Sequence, residues 1–226
     1  MDSKIVTKEL RRSLYPLLKE HGFEVSGRNA WRYTPKQIQV VNVQSFNDYL
    51  ASGVGCTTYS FAVKLGCYFL WIEDRFRDRL RRGPAGQLRP SEAHCQFRRS
   101  LQKGLYQPQL KRAEIWYVAE NPAELASVVH DARMSIFREA FSWFERLSDV
   151  REVARTLKED DEDLEGTWGF GRNPCPKRHY QLGYTLVELN ELREAGIHLS
   201  QALQSDCYSA SSANLEATLE RIRGAA

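Results

Sequence analysis

The stretch from Gly22 to Phe46, GFEVSGRNAWRYTPKQIQVVNVQSF, alternates apolar and polar side chains on both sides of a Pro-Lys pair. Alternation with a period of two is typical of strands with one buried face, and proline favours a turn between strands. The stretch therefore predicts two strands, about Glu24–Tyr33 and Ile38–Phe46, with an irregular patch at Gly27–Asn29. Aromatic and amide side chains stand among the apolar ones, which suits either the floor of an active site or a scaffold that holds another molecule.

The segments on either side of this stretch extend the pattern. Residues 3 to 21 carry apolar side chains at the three-to-four spacing of an amphipathic helix, which Gly22 is expected to end. Pro16 lies inside that pattern and predicts a kink or a second short helix. A third strand is expected over Thr57–Ile72, because large apolar residues recur there at every second position. Short connections make these strands antiparallel neighbours.

The second half of the chain is predicted to be mainly helical. A short helix is expected near Ser91, a brief strand at Ala113–Val118, and a long helix that begins at Asn121 and reaches about residue 147. Asp149 is expected to cap a continuation to Leu157. The chain then forms a helical hairpin from Lys177 to Leu203 and a last helix near residues 212 to 223.

The predicted fold class is therefore α+β: an antiparallel sheet of three to four strands packed by helices, with a C-terminal helical hairpin. Residues 1–165 are expected to form the α+β domain and residues 175–226 the hairpin extension. In the hairpin, five residues fall at the spacing of one tetratricopeptide unit, whereas His179 and Leu186 replace its usual Trp and Tyr; the five are Leu182, Gly183, Ala195, Leu199 and Ala202. Since no second copy occurs, an ordinary packed hairpin is favoured over a repeat array.

Composition places the chain among folded proteins of the cytoplasm. Of its 226 residues 42% are apolar and 27% charged, which is ordinary for a globular domain. The longest apolar run, Tyr59–Ile72, is broken by Lys64 and Gly66, and the first residues carry no apolar signal core. The five cysteines form no C-x-x-C pair, so reduced thiols are expected.

Charge is unevenly distributed along a chain whose net charge is only +3. Between residues 73 and 112 eleven Lys and Arg face four Asp and Glu, and between residues 139 and 165 ten acidic residues face four basic ones. The basic region includes RFRDRLRR, whose arginines offer phosphate contacts along a helix: Arg75, Arg77, Arg79, Arg81 and Arg82. The alternative is a solvated helix face in which Asp74 and Asp78 pair with these arginines.

Sequence motifs for nucleotide, metal or cofactor binding do not occur. There is no P-loop, no dinucleotide fingerprint and no H-E-x-x-H, and the five histidines are widely separated. We therefore expect no cofactor and no metal. The adjacent His94 and Cys95 form the one pair that suggests a nucleophile with its base. Adjacent residues on a helix point about 100° apart, which favours a structural cysteine.

Several of these segments together resemble the bacterial domain of unknown function 4304 family, over roughly residues 5 to 150. The resemblance rests on the helix that ends LLKEHGF, the aromatic strand, VVNVQSF and FAVKLGCY. The matching residues are Gly22, Phe23, Trp31, Tyr33, Val41, Asn42, Gln44, Leu65 and Gly66. The segment AHCQFRR also looks like a later Cys-His stretch of that family, with the two residues in the opposite order. The resemblance brings no catalytic residue, and it implies a small binding domain, in some cases an immunity protein encoded beside a toxin.

The sequence therefore predicts a non-enzymatic cytoplasmic protein-binding module, most concretely an immunity protein that blocks a cognate bacterial toxin by direct contact. The expected interface is the acidic run and the loop after it: Asp160, Asp161, Glu162, Asp163, Trp168 and Arg172. Two alternatives remain, a nucleic-acid-binding protein that uses Arg75–Arg82 and an unrecognised hydrolase. No membrane partner is expected.

Overall fold

The computed structural model describes residues 3–119, 122–159, 167–168 and 175–225. The chain divides into two compact units, which we describe separately. The first unit comprises Met1–Tyr68 and Pro90–Phe144, and the second comprises Phe69–Arg89 and Glu145–Ala226. The expected boundary between residues 165 and 175 falls next to segments outside the described residues and stays a prediction.

The first unit is an α+β structure built on a five-stranded antiparallel sheet, whose strands β1 to β5 lie in chain order. The strands are β1 Glu24–Ser26, β2 Asn29–Tyr33, β3 Gln37–Ser45, β4 Phe61–Phe69 and β5 Phe97–Ser100. The α-helices are α1 Ser3–Ser13, α2 Tyr15–Glu20, α3 Asp48–Val54, α4 Leu125–Ser135 and α5 Phe141–Arg146. Short 3-10 turns lie at Glu92–His94 and Pro122–Glu124, and a π-helical turn at Ile136–Ala140 joins α4 to α5. The α+β class is confirmed, and the sheet has five strands rather than three to four.

The extra strand at the start of the sheet comes from the glycine in the predicted irregular patch. Gly27 has a φ of +62°, which side chains rarely tolerate, and it turns the chain between β1 and β2. The expected single strand Glu24–Tyr33 is therefore a hairpin, with Ser26 opposite Asn29. The Pro-Lys turn before β3 is confirmed, since Thr34 and Gln37 close it with hydrogen bonds from the Thr34 amide and hydroxyl to the Gln37 carbonyl.

The segment after residue 90 differs most from its prediction. Instead of a short helix, Glu92–His94 forms one 3-10 turn and Phe97–Ser100 becomes β5, antiparallel to β4. The close packing of β4 explains why: a Cβ atom at Gly66 would lie 2.5 Å from the Cys95 Sγ atom and 2.8 Å from its Cβ. Only a strand residue without a side chain lets Cys95 approach this closely.

Two hydrogen-bonded contacts hold this segment in the first unit. Trp31 Nε1 donates to the Pro90 carbonyl at 2.8 Å, and the Arg98 guanidinium pairs with the Glu92 carboxylate at 2.6 Å. Both Trp31 and Glu92 are buried. Both contacts lie within the first unit and hold the residues that lead into β5.

Three further strand and helix boundaries also differ from expectation. The strand expected over Thr57–Ile72 is only Phe61–Phe69, because a turn occupies Thr57–Ser60. The strand expected at Ala113–Val118 reduces to one bridge between Phe61 and Trp116. The long helix is preceded by a 3-10 turn, and its expected cap, Asn121, lies outside the described residues.

The predicted helix breaks near Pro16 and Gly22 are confirmed. A second short helix, α2, begins at Tyr15 with Pro16 in its first turn, and Gly22 follows it with a φ of +78°. Proline is tolerated in the first turn of a helix because the amide that it lacks has no intrahelical partner there.

The second unit is helical in its described parts. Its elements are α6 Val150–Lys158, a two-residue strand β6 Thr167–Trp168, α7 Pro176–Glu188, α8 Leu192–Leu203 and α9 Ser212–Ala225, with 3-10 turns at Arg77–Arg79 and Asp206–Ser211. The Asp149 cap of α6 is confirmed, since its carboxylate accepts from the Arg151 amide at 2.8 Å. The helical hairpin is α7 and α8, whose close approach depends on Gly183: a Cβ there would lie 2.5 Å from the Leu199 side chain. Among the described residues no helix is long and apolar enough to cross a bilayer.

A histidine pair joins α7 to α8. His179 and His198 share a hydrogen bond between their Nδ1 atoms at 2.8 Å, which requires one ring to donate and the other to accept. Burial lowers the pKa of both imidazoles, and His179 lowers that of His198 further. Glu194 and Lys158 face His198 and act on its pKa in opposite directions. The native hairpin therefore favours two neutral rings.

We expect the substitution Gly66→Ala to lower the free energy of unfolding by about 2 kcal/mol, because the added methyl group overpacks the contact with Cys95. Chemical denaturation measures this change. The matched control is Gly53→Ala, since a Cβ at Gly53 meets nothing within 4 Å and alanine is the better helix former. The double variant Gly66→Ala with Cys95→Gly should recover part of the loss; no recovery would contradict the explanation by close packing.

Acid should weaken the α7–α8 hairpin. The native pKa values of the two histidines are lowered, so the unfolded chain binds more protons as the pH falls below about 6.5. The free energy of unfolding should therefore be smaller at pH 5 than at pH 7.5, as measured by urea denaturation. His198→Gln should reduce the difference between the two pH values, whereas the exposed His130→Gln controls for losing a histidine elsewhere. An equal reduction by both variants would count against the pair.

Candidate functional site

The arginine segment, Arg75–Arg82, is not the helix that its sequence suggested. It contains one 3-10 turn, Arg77–Arg79, which ends where Leu80 adopts an extended conformation. The Asp74 carboxylate accepts from the Phe76 amide at 2.8 Å, and the Asp74 carbonyl accepts from the Arg77 amide. An aspartate that bonds the backbone two residues on favours a turn over a longer helix.

Arg77 differs from the other arginines because it points inward. Its guanidinium donates to the carbonyl oxygens of Leu70 and Ile72 at 3.0 and 2.8 Å. The buried side chains of Ile72 and Leu80 anchor the segment on either side. Arg77 therefore holds the shape of the segment and is not part of its outer surface.

Phe76, in contrast, is exposed between two arginines. Its side chain is 42% exposed, and the guanidinium carbons of Arg75 and Arg79 lie 4.6 and 5.6 Å from the ring centre. Guanidinium groups at such distances are attracted by the ring. We call Arg75, Phe76 and Arg79 the arginine–phenylalanine cluster. Both arginines are exposed, and within the described part of the chain neither forms an ion pair.

Side chains of α7 and α9 bind Glu73, two residues before the cluster. Tyr180 donates its hydroxyl to the Glu73 carbonyl at 3.0 Å, and Asn214 Nδ2 donates to the Glu73 carboxylate at 3.3 Å. The Tyr180 ring stacks on Tyr208 with centres 4.4 Å apart. Burial raises the pKa of both phenols well above the usual value, so they remain neutral. Hydrogen bonds from α7 and α9 thus fix the position of Glu73.

The two remaining arginines lie at the start of a hairpin-like turn. Arg82 Nη1 donates to the Gly86 carbonyl at 3.1 Å, and the Arg81 carbonyl accepts from the Arg89 amide. Gly86 has a φ of +79° at the tip of this turn. Arg81 and Arg82 are both exposed, so four of the five arginines of the segment extend its basic surface.

The interface expected from the sequence can be placed only in part. Asp160, Asp161, Glu162, Asp163 and Arg172 lie outside the described residues. Trp168 is the second residue of the short strand β6, and its side chain lies outside the described part of the structure. This interface stays a prediction.

The last turn of α6, which leads into the acidic run, is already rich in ion pairs. Arg155 pairs with Glu152 and Glu159, and Lys158 pairs with Glu194 at 2.9 Å. A cleft of about 430 Å³ beside the α7–α8 turn is lined by three basic residues, two acidic residues, Ala154 and Leu189. Arg155 pairs with Glu159 and Lys158 pairs with Glu194, so the cleft offers little net charge to a ligand.

The pair His94 and Cys95 does not form a nucleophile with its base. Cys95 is buried, and burial raises the pKa of its thiol well above the usual value, which disfavours the reactive thiolate. The His94 ring instead shares a hydrogen bond of 2.6 Å with the Ser91 hydroxyl. The sequence analysis missed this contact, although a three-residue spacing in a tight turn could have indicated it. Among the described residues no three His, Cys, Asp or Glu side chains are placed to hold a metal.

Comparison with known protein families matches residues 14–146 to the domain of unknown function (DUF4304). The match covers more than half of the chain. The chain belongs to the DUF4304 family. No curated protein and no solved structure matches it.

The extent of the family match agrees with the resemblance inferred from the sequence. It includes the sheet, the long helix and the arginine segment, and it ends at the last residue of α5. Helices α6 to α9 lie beyond it. Gly66, one of the residues that carried the resemblance, is the residue that allows the contact with Cys95.

We expect Arg77→Ala to destabilise the second unit by about 1–2 kcal/mol, since it removes charged hydrogen bonds to two carbonyl groups. Amide hydrogen exchange of residues 70–80 should become faster. Arg79→Ala is the matched control and should change the stability by less than about 0.5 kcal/mol, because its side chain is exposed. Equal effects of the two substitutions would show that Arg77 does not hold the segment.

Proposed function

We propose that this DUF4304 protein is a non-enzymatic protein-binding module, most concretely a cytoplasmic immunity protein that neutralises a cognate bacterial toxin by direct binding. The observation that carries the proposal is the exposed Phe76 held between Arg75 and Arg79. Aromatic and arginine side chains are the residue types that contribute most to protein interfaces. A binder of this kind needs a rigid surface and no reactive group of its own.

The rigidity of the cluster supports the proposal. Hydrogen bonds fix the backbone at Glu73 and, through Arg77, at Leu70 and Ile72. Ordering of loops and side chains is a large part of the cost of association. A cluster that is already ordered avoids much of this cost.

Nucleic-acid binding is the second candidate, because the same segment presents four exposed arginines. Arg77, the fifth, is engaged with backbone carbonyls and does not add to that surface. The hydrolase hypothesis named Cys95 or a convergent histidine as its reactive group; the burial of Cys95 and the raised pKa of its thiol favour a structural role for that residue.

The proposal is tested by capture of partners from the native cell with the tagged full-length protein in about 0.15 M salt, after nuclease treatment. We expect one stoichiometric protein partner, whose affinity for Phe76→Ala is at least roughly tenfold weaker. Tyr49→Ala is the matched control, since Tyr49 is an exposed aromatic residue on α3 of the first unit.

A toxin partner should also arrest growth when expressed alone and fail to do so when expressed with this protein. If the partner does not arrest growth, the protein is a binding module, and the proposed immunity function is wrong. Recovery of nucleic acid alone from samples without nuclease, or of no partner at all, would overturn the proposal.

A further inference from the structure

The arginine–phenylalanine cluster carries positive charge that the surrounding described residues do not neutralise. Some exposed arginines of the described residues have carboxylate partners: Arg12 pairs with Glu9, and Arg112 pairs with Glu114. Arg75 and Arg79 contact the Phe76 ring instead. The charge of the cluster is therefore available to an anionic partner.

Among the described residues, the Arg75 and Arg79 guanidiniums contact the Phe76 ring and form no ion pair, which leaves their N–H donors available. A guanidinium attracted to a ring by its face keeps its N–H groups directed outward from its edge. Those N–H groups match the two oxygens of a carboxylate in a bidentate contact. Binding of a carboxylate to Arg75 or Arg79 therefore does not require either group to leave Phe76.

The same geometry favours a carboxylate-bearing protein segment over nucleic acid. A nucleobase binds an aromatic residue by stacking on the face of its ring. At Phe76, two guanidiniums already lie within 5.6 Å of the ring centre. Asp74 and Asp78 also interrupt the run of arginines, so the segment offers no continuous row of positive charge to a chain of phosphates, whereas a protein segment needs only separate carboxylates at Arg75 and Arg79.

We propose that the arginine–phenylalanine cluster is the docking site for an acidic protein segment, with at least two Asp or Glu side chains that bind Arg75 and Arg79 and an apolar side chain that contacts the part of Phe76 left exposed by the two guanidiniums. This proposal rests on the proposed function and specifies its partner. Arg77 is a positioning residue in this site, since it holds the backbone and does not contact the partner.

The test uses a displayed library of random 12-residue peptides, from which those that bind the immobilised full-length protein are selected. We expect enriched peptides to contain two or more Asp or Glu residues near a large apolar one. A fluorescein-labelled enriched peptide then measures affinity by fluorescence anisotropy. Phe76→Ala and Arg79→Ala should each weaken binding at least tenfold, and the affinity should fall as salt rises.

Matched variants separate the docking role from charge and from folding. Arg223→Ala removes one exposed arginine from α9 of the same unit and should leave the affinity unchanged within about twofold. Arg79→Lys keeps the charge but loses the planar fork, so an intermediate affinity is expected. Thermal unfolding of each variant confirms that the fold is retained.

Nuclear magnetic resonance identifies the arginines directly. On addition of the peptide, the Nε–H signals of Arg75 and Arg79 should shift, and that of Arg77 should not. Enriched peptides without acidic residues, equal binding to Phe76→Ala, or tighter binding of a 20-nucleotide single-stranded DNA than of the peptide would each overturn the proposal. A cellular partner that binds Phe76→Ala as well as the wild type would overturn this docking site and leave the binding function intact.

Discussion

The close approach of Cys95 to Gly66 is the constraint on which the rest of the chain depends. A side chain at position 66 would overlap the Cys95 thiol, so glycine in β4 is what allows the segment after Pro90 to return to the sheet. That return forms β5 and completes the sheet of the first unit.

Residues of one type have different roles within this segment. Arg77 satisfies two backbone carbonyls, whereas Arg75 and Arg79 contact an exposed ring and keep their donors for other groups. Arg77 and Arg79 lie two residues apart in the 3-10 turn, whose three residues per turn direct such side chains apart, and Arg75 precedes the turn. A surface that binds a partner needs both roles, because exposed arginines on an unsupported loop would lose much of their binding energy to ordering.

The long helix of the first unit shows how local irregularity serves packing. Its π-helical turn, Ile136–Ala140, follows Ser135, whose hydroxyl donates to the Gln102 carbonyl, and includes Glu139, which pairs with Arg99. In α4 itself, Asp131 accepts from the Gly104 amide and from Trp116 Nε1. Polar side chains of one helix thus hold a long irregular segment against the core, and no periodicity of the segment itself could have indicated this.

Local preferences and short motifs were enough to predict the main features of the fold from the sequence. These are the α+β class, the helix breaks at Pro16 and Gly22, the Asp149 cap, the C-terminal hairpin and the family. The fifth strand and the role of each arginine, in contrast, are seen only in the folded chain. Those features depend on contacts between residues far apart in the chain, such as Gly66 with Cys95 and Tyr180 with Glu73. Local propensity carries no information about such contacts, since it is the packing of distant segments that creates them.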